Sequence, residues 1–137
     1  MRETGQWAEV IVLAVPYGAV DDALRELGNG VNRKTVVDVT NALTSDMQLA
    51  GGCTTSGGET LQQKVRGAKV VKAFNAQFAQ RMDSGALDGQ PVTVFAAGDD
   101  ATAKQQVMQM ARDIGFEAVD AGPLQNARLL EPVGRRR

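Results

Sequence analysis

Five short valine-rich blocks constrain the fold of this 137-residue chain more than any other feature of its sequence. Their apolar residues are nearly continuous rather than alternating with polar ones, which is typical of strands covered on both faces. Amphipathic helical patterns separate the blocks, so the sequence predicts an α/β fold with a mostly parallel sheet of about five strands and helices on both faces. The blocks occupy residues 9–15, 34–39, 68–73, 92–97 and 116–119.

The segments between the blocks carry helix start and stop signals. Residues 18–27 place apolar side chains at helical spacing, and Gly28 supplies a stop. A second helix is predicted over residues 100–114, with Asp99 as its N-cap. The Ser-x-x-Glu pattern that starts at Ser56 predicts a capping box and a helix that ends near Arg66.

Two shorter helices are predicted at residues 75–82 and 124–130. The link between the third and fourth blocks, residues 74–89, departs from the regular alternation of strand and helix. It holds a short helical pattern followed by Ser-Gly and Asp-Gly turn signals. The strand that follows is therefore a candidate for an orientation opposite to that of its neighbours.

Composition excludes several kinds of chemistry. The chain has no histidine and one cysteine, Cys53, which excludes Ser-His-Asp and Cys-His catalysis, internal disulfides and His/Cys zinc sites. The longest apolar run, which begins at Val10 and ends at Pro16, is too short to span a membrane, and no export signal opens the sequence. A formal charge of −1 and a pI near 5.4 argue against nucleic-acid binding. We expect a cytoplasmic protein with no metal site and no nucleic-acid or membrane partner.

Several residues allow both a functional and a structural interpretation. The glycine-rich segment 51–58 precedes a predicted helix, so it could bind an anion or could be a connection closed by a capping box. Asp38 and Lys72 lie near strand ends, where they could face a ligand, or else form a salt bridge or face the solvent. Arg128 is interpreted as structural, and Cys53 has no neighbouring base that would activate it.

Six motifs in sequence order together resemble the coenzyme F420-dependent NADP oxidoreductase family. Each is weak alone, but their order and spacing extend over residues 7–132. They include Val-Val-Asp-Val-Thr-Asn, Val-Val-Lys-Ala-Phe-Asn and the closing Gly-Pro-Leu and Leu-Glu-Pro signatures. The motifs lie at residues 12–16, 36–41, 70–75, 97–100, 120–124 and 127–132.

The resemblance implies a Rossmann-type domain that transfers hydride between NADP(H) and the deazaflavin F420. It requires no acid–base residue, because the two rings exchange hydride directly and the protein binds and orients them. No catalytic residue is therefore predicted. The residues that the resemblance places at the cofactor are Ala14, Val15, Pro16, Tyr17, Asn41, Ala73 and Asn75.

The sequence also departs from the family pattern, because it contains no G-x-G-x-x-G turn of the kind that holds a pyrophosphate. Its one G-x-G, at Gly28, follows a helix and lacks the third glycine. We therefore expect a truncated Rossmann-like domain over residues 1–132 and a basic tail over 133–137. The predicted function is that of a diverged or truncated oxidoreductase with weak or lost activity.

The alternative is a non-catalytic binding or assembly module. Without a preceding strand, the strand from Val10 to Val15 would lie at the sheet edge, where its uncharged run could pair with a second copy. A homodimer through this strand is the expected assembly, and a partner chain that supplies the missing half is a further possibility.

Overall fold

The protein is described by a computed structural model that covers residues 1–41, 55–75, 86–87 and 89–135. The strands in these ranges are β1 (Val10–Leu13), β2 (Thr35–Asp38), β3 (Lys69–Lys72), β4 (Ala86–Leu87), β5 (Gln90–Pro91), β6 (Thr93–Gly98) and β7 (Glu117–Asp120). The α-helices are α1 (Arg2–Trp7), α2 (Val20–Leu27), α3 (Gly57–Lys64), α4 (Ala101–Asp113) and α5 (Ala127–Arg135). Short 3₁₀ turns occur at Tyr17–Ala19, Gly28–Val31 and Leu124–Asn126.

The five predicted strand blocks form one sheet in the order β1-β2-β3-β6-β7, and β4 pairs with β5 in a separate hairpin. β1, β2 and β3 are parallel, whereas β6 is antiparallel to β3 and parallel to β7. The strand predicted as a candidate for reversal is therefore reversed, and β7 follows it. As a consequence, the carboxyl ends of β1–β3 meet at one edge of the sheet, and those of β6 and β7 point towards the opposite edge.

Helices cover the sheet on two faces, as the continuous apolar strands predict. Adjacent valines on β2 enter different cores: Val36 packs with residues of α2 and α3, whereas Val37 packs with residues of α4. Both side chains are almost fully buried. The alternation of side chains along a strand thus produces a three-layer α/β arrangement.

The helix boundaries follow most of the predicted signals. α2 begins at Val20 after a 3₁₀ turn and stops at Gly28, whose φ of 55° suits glycine. The Ser56 side chain caps α3 as predicted. The predicted N-cap of α4 is wrong by one residue: Asp100 caps this helix by accepting from the Ala103 N–H, whereas Asp99 accepts from the Leu124 N–H.

Other helical predictions have different outcomes. The segment 124–130 forms a 3₁₀ turn and then α5, which continues through Pro132 to Arg135, so the expected boundary after residue 132 lies within a helix. The helix predicted at 75–82 lies mostly outside the described residues, as does Cys53. In the described part of the chain, no helix combines the length and apolar character that crossing a membrane requires.

Candidate functional site

The carboxyl edge of β1–β3 brings the predicted cofactor residues to one side of the sheet. Ala14, Val15, Pro16 and Tyr17 follow β1, and Asn41 follows β2. Ala14, Pro16 and Asn41 are exposed, and Tyr17 is half-buried. Val15 packs partly against the core. Small exposed side chains at a strand end leave space for a ligand to approach the backbone.

The two predicted residues that follow β3 are buried. Ala73 has no exposed surface, and its N–H donates to the carbonyl of Asp38 at 3.2 Å. Asn75 is 7% exposed, and its side-chain amide donates to the carbonyl of Leu130 at 3.0 Å. Both residues therefore lie beneath the surface of this edge, where Ala73 bonds to β2 and Asn75 bonds to α5.

A buried ionic group lies directly below this edge, and we call Lys72, Asp38, Thr40 and Glu131 the Lys72 network. The Lys72 ammonium, with no exposed side-chain surface, lies 3.2 Å from Oδ2 of Asp38 and 3.4 Å from Oε1 of Glu131. It also donates to the carbonyl of Thr40. Asp38 accepts through its other oxygen from the N–H and hydroxyl of Thr40, at 2.9 and 2.7 Å.

The Lys72 network satisfies its own polar groups. The ammonium donates to Oδ2 of Asp38 and to the carbonyl of Thr40 and forms an ion pair with Glu131, and no buried side-chain nitrogen or oxygen among the described residues lacks a hydrogen-bond partner. Full pairing is the condition under which a charged group tolerates burial. Of the interpretations of Asp38 and Lys72, the structure therefore shows the salt bridge, with both side chains buried.

Glu131 also closes the N-terminus of α3. Its Oε2 accepts from the Gly57 N–H at 3.0 Å, and its Oε1 accepts from the Gly58 N–H at 3.1 Å. A carboxylate at this position is favoured by the partial positive charge of a helix N-terminus. The two described glycines of the 51–58 segment thus donate to a carboxylate of the same chain, at the capped N-terminus of α3.

A second carboxylate at the start of α3 pairs with α5. Glu59 accepts from the Ser56 hydroxyl at 2.8 Å and from the guanidinium of Arg128. Burial alone would raise the pKa of Glu59, but the hydrogen bonds from Arg128 and Ser56 outweigh it and hold this pKa below its usual value. The structural interpretation of Arg128 agrees with this pair.

A cleft of about 160 Å³ opens beside the edge, between the end of β1 and the start of α3. Asp38 and Thr40 line one side, Tyr17 lines another, and Lys64 lies at α3. Burial raises the pKa of Tyr17; Lys64 opposes this shift, and the carboxylates of Glu131, Asp38 and Asp21 add to it. Tyr17 therefore remains a neutral phenol over the usual pH range and can donate a hydrogen bond into the cleft.

Sequence reasoning found Asp38 and Lys72 but missed Thr40 and Glu131 as their partners. The available signal was Lys72 itself, since a lysine that directly follows two valines in a covered strand must find acceptors in the interior. The sequence does not indicate which acceptors it finds, because Glu131 is far away along the chain.

Comparison with known proteins gives the same fold. No protein-family model matches the chain. A structure from Arthrobacter sp., assigned as an F420-dependent NADP reductase, superposes with a TM-score of 0.89 and is 31% identical over 96% of this chain. A hypothetical protein from Sinorhizobium meliloti superposes with a TM-score of 0.77 and 29% identity over 89% of the chain. The predicted Rossmann-like α/β fold is therefore confirmed.

A curated relative, the metalloreductase STEAP3 from Rattus norvegicus, is 35% identical over 125 residues, or 91% of this chain. The chain spans 25% of that protein, 63% of the Arthrobacter structure and 60% of the Sinorhizobium structure. The names of two of these three proteins describe reductases, so the chain resembles part of an oxidoreductase.

Proposed function

We propose that this chain belongs with the F420-dependent NADP oxidoreductases and supplies the nicotinamide side of an NADP(H) site. The observation that carries the proposal is the match to the Arthrobacter protein, which combines a TM-score of 0.89 with 31% identity. The open edge at Ala14, Pro16 and Asn41 supports it, because exposed small residues end a strand where such folds bind dinucleotides.

When bound, NADPH supplies a hydride that reduces F420, which takes up a proton from solvent as NADP⁺ forms. The residues of this chain would bind and orient the nicotinamide. Ala14 and Pro16 offer a small apolar surface to a ring, and the neutral Tyr17 phenol offers a hydrogen-bond donor beside it. Because the chain contains no G-x-G-x-x-G turn, we expect weak binding; each charge-assisted hydrogen bond that is missing costs about 1.5–3 kcal/mol.

Titration with NADPH and with reduced nicotinamide mononucleotide tests this proposal. The two ligands should bind with similar weak affinity, because the expected contacts are at the nicotinamide end. NMR should show shifts of the amides of Ala14, Val15 and Asn41 on addition of either ligand. Ala14→Phe should abolish these shifts, whereas Ala101→Phe, at an exposed position after β6 on the opposite edge, should leave them intact.

The absence of heat and of amide shifts at millimolar NADPH would contradict the cofactor site. Where binding is found, the loss of F420 absorbance in the presence of NADPH measures hydride transfer. Binding without transfer would support a diverged site with lost activity.

A second candidate, an assembly module that forms a homodimer through β1, is favoured by the character of that strand. β1 lies at the sheet edge, and Val12 on it is 50% exposed. No charged residue interrupts Val10–Leu13, whereas β7 at the other edge carries Glu117 and Asp120. Uncharged strand edges are the ones that pair with further strands.

Light scattering over a concentration series tests the dimer. We expect a dimer that Val12→Lys converts to a monomer, while Val119→Lys on β7 leaves it unchanged. A wild-type protein that stays monomeric at high micromolar concentration would exclude this assembly.

A further inference from the structure

We propose that Lys72 is a positioning residue that holds the edge segment at Thr40 and Asn41 and ties it to α5. The proposal rests on the proposed cofactor site, because Asn41 is one of the residues predicted there. Lys72 has no exposed side-chain surface, so it would act through Thr40 and not by touching a ligand.

The edge segment depends on side-chain bonds for its position. Residues 39–41 belong to neither a strand nor a helix, so no regular backbone ladder fixes them. The Thr40 carbonyl accepts from Lys72, and the Thr40 N–H and hydroxyl donate to Asp38. Lys72 and Asp38 therefore bind the backbone C=O and N–H of Thr40, respectively. Asn41 is the next residue in the chain.

The same ammonium joins this segment to a distant helix. Glu131 lies 3.4 Å from Lys72, and its carboxylate also accepts from the two glycine N–H groups at the start of α3. Without the lysine, the buried Asp38 and Glu131 carboxylates would lose the cation that lies between them. Their repulsion would separate the edge segment from α5, since unlike charges stabilise and like charges destabilise strongly in a buried site.

Arg128 provides a matched control for this inference. Arg128 also links α5 to α3, through Glu59, but neither residue of this pair forms a hydrogen bond or an ion pair with residues 38–41. Loosening the two helices through Arg128→Gln therefore leaves the bonds of Thr40 intact, whereas Lys72→Met removes one of them.

Amide hydrogen exchange followed by NMR on the ligand-free protein is the primary test. In Lys72→Met, the Thr40 and Asn41 amides should exchange at least about tenfold faster relative to the Val37 and Val71 amides of the central strands. Arg128→Gln should leave this ratio unchanged. Equal effects of the two variants, or an unchanged ratio in Lys72→Met, would overturn the proposal.

Two further measurements test the proposal if Lys72→Met does not fold. The variant Lys72→Met/Glu131→Gln removes one charge of each sign and should show the same selective increase in exchange. In the wild type, the Lys72 ammonium protons should give a slowly exchanging ¹⁵N NMR signal with a cross-relaxation contact to Thr40, because the buried ammonium donates to the Thr40 carbonyl and to Asp38. Absence of this contact would overturn the proposal without any variant.

Ligand binding provides a second and separate result. The affinity for NADP⁺ should fall at least about tenfold in Lys72→Met and remain unchanged in Arg128→Gln, because misplacement of contact groups weakens productive binding. If the wild type fails to bind NADP⁺, the proposed function is wrong. The exchange ratio at Thr40 still tests the role of Lys72 in that case, because it is measured on the ligand-free protein.

Discussion

Arg128 on α5 holds Glu59 on α3 through two parallel hydrogen bonds, from Nε to Oε2 at 3.0 Å and from Nη2 to Oε1 at 2.9 Å. This bidentate geometry is the strongest form of an arginine–carboxylate pair. It joins the last described helix to the first turn of α3, next to the Glu131 carboxylate that caps the same turn. Two carboxylates from different elements thus meet at one helix start; Glu59 pairs with Arg128, and Glu131 pairs with Lys72, which also pairs with Asp38.

The Arg128–Glu59 pair should make stability depend on acid pH. The pKa of Glu59 is lowered in the folded protein, so its contribution is present above the usual glutamate pKa of about 4.3 and is lost as the pH falls through the lower folded value. Arg128→Gln should lower the midpoint of urea unfolding at pH 6, and the difference from wild type should shrink below about pH 4. Arg25→Gln, which breaks a highly exposed pair with Asp22, should show no such pH dependence. A difference that stays constant down to pH 3 would contradict this origin.

Removal of the α3 cap should cost about 1 kcal/mol of the free energy of unfolding. Ser56 is fully buried and accepts from the Glu59 N–H at 3.1 Å, so Ser56→Ala leaves that donor without its partner. The pKa of Glu59, followed by NMR, should rise towards its usual value because the Ser56 hydroxyl is also lost. Thr55→Ala deletes the neighbouring hydroxyl and should change neither quantity. Equal losses in the two variants would show that the cap is not responsible.

The strands of the main sheet could be predicted because each coincides with a predicted block, although β6 and β7 each end one residue beyond theirs. Val36 and Val37 fill opposite cores, so both positions must be apolar, and that pattern is visible in the sequence. The helix α1 had no comparable signal: it has six residues and no side-chain cap at its start. It packs instead against the 3₁₀ turn Gly28–Val31, and sequence-local rules do not report such distant contacts.

The position of the candidate site could be predicted from the sequence, but the hydrogen bonds and ion pairs within it could not. Parallel pairing of β1–β3 follows from the strand and helix pattern, and it gathers Ala14 and Asn41 at one edge. Ala73 is buried in the core on the α4 side of the sheet, and Asn75 bonds to α5, so the burial of both depends on distant helices. The Gly57–Glu131 bond joins residues 74 positions apart, so its formation depends on the whole fold.

Loss of the Glu131 charge should be far more costly than loss of an exposed charge. Glu131 is 5% exposed and shares Lys72 with Asp38, so Glu131→Gln weakens the buried pairing and should destabilise the protein by about 3 kcal/mol. Asp21 pairs with Lys64 at 2.6 Å, but these side chains are 63% and 41% exposed, so Asp21→Asn should cost less than about 1 kcal/mol. Urea unfolding of both variants at pH 7 measures the contrast. Similar costs would show that burial does not strengthen the Glu131 contacts.

The close approach of α1 to the Gly28–Val31 turn should make Gly30 intolerant of any side chain. A Cβ at Gly30 would lie 3.0 Å from the carbonyl carbon and 3.1 Å from the Cα of Gly5, and these backbone atoms cannot rotate away. Gly30→Ala should therefore push α1 outward and cost about 1–3 kcal/mol in urea unfolding, with faster amide exchange along α1. Gly18→Ala is the matched control, because a Cβ there meets no atom within 4 Å. It should leave the protein equally stable or stabilise it by up to about 1 kcal/mol, since alanine reduces the entropy of the unfolded chain. If Gly30→Ala proved as harmless as Gly18→Ala, α1 would not pack on this turn in solution.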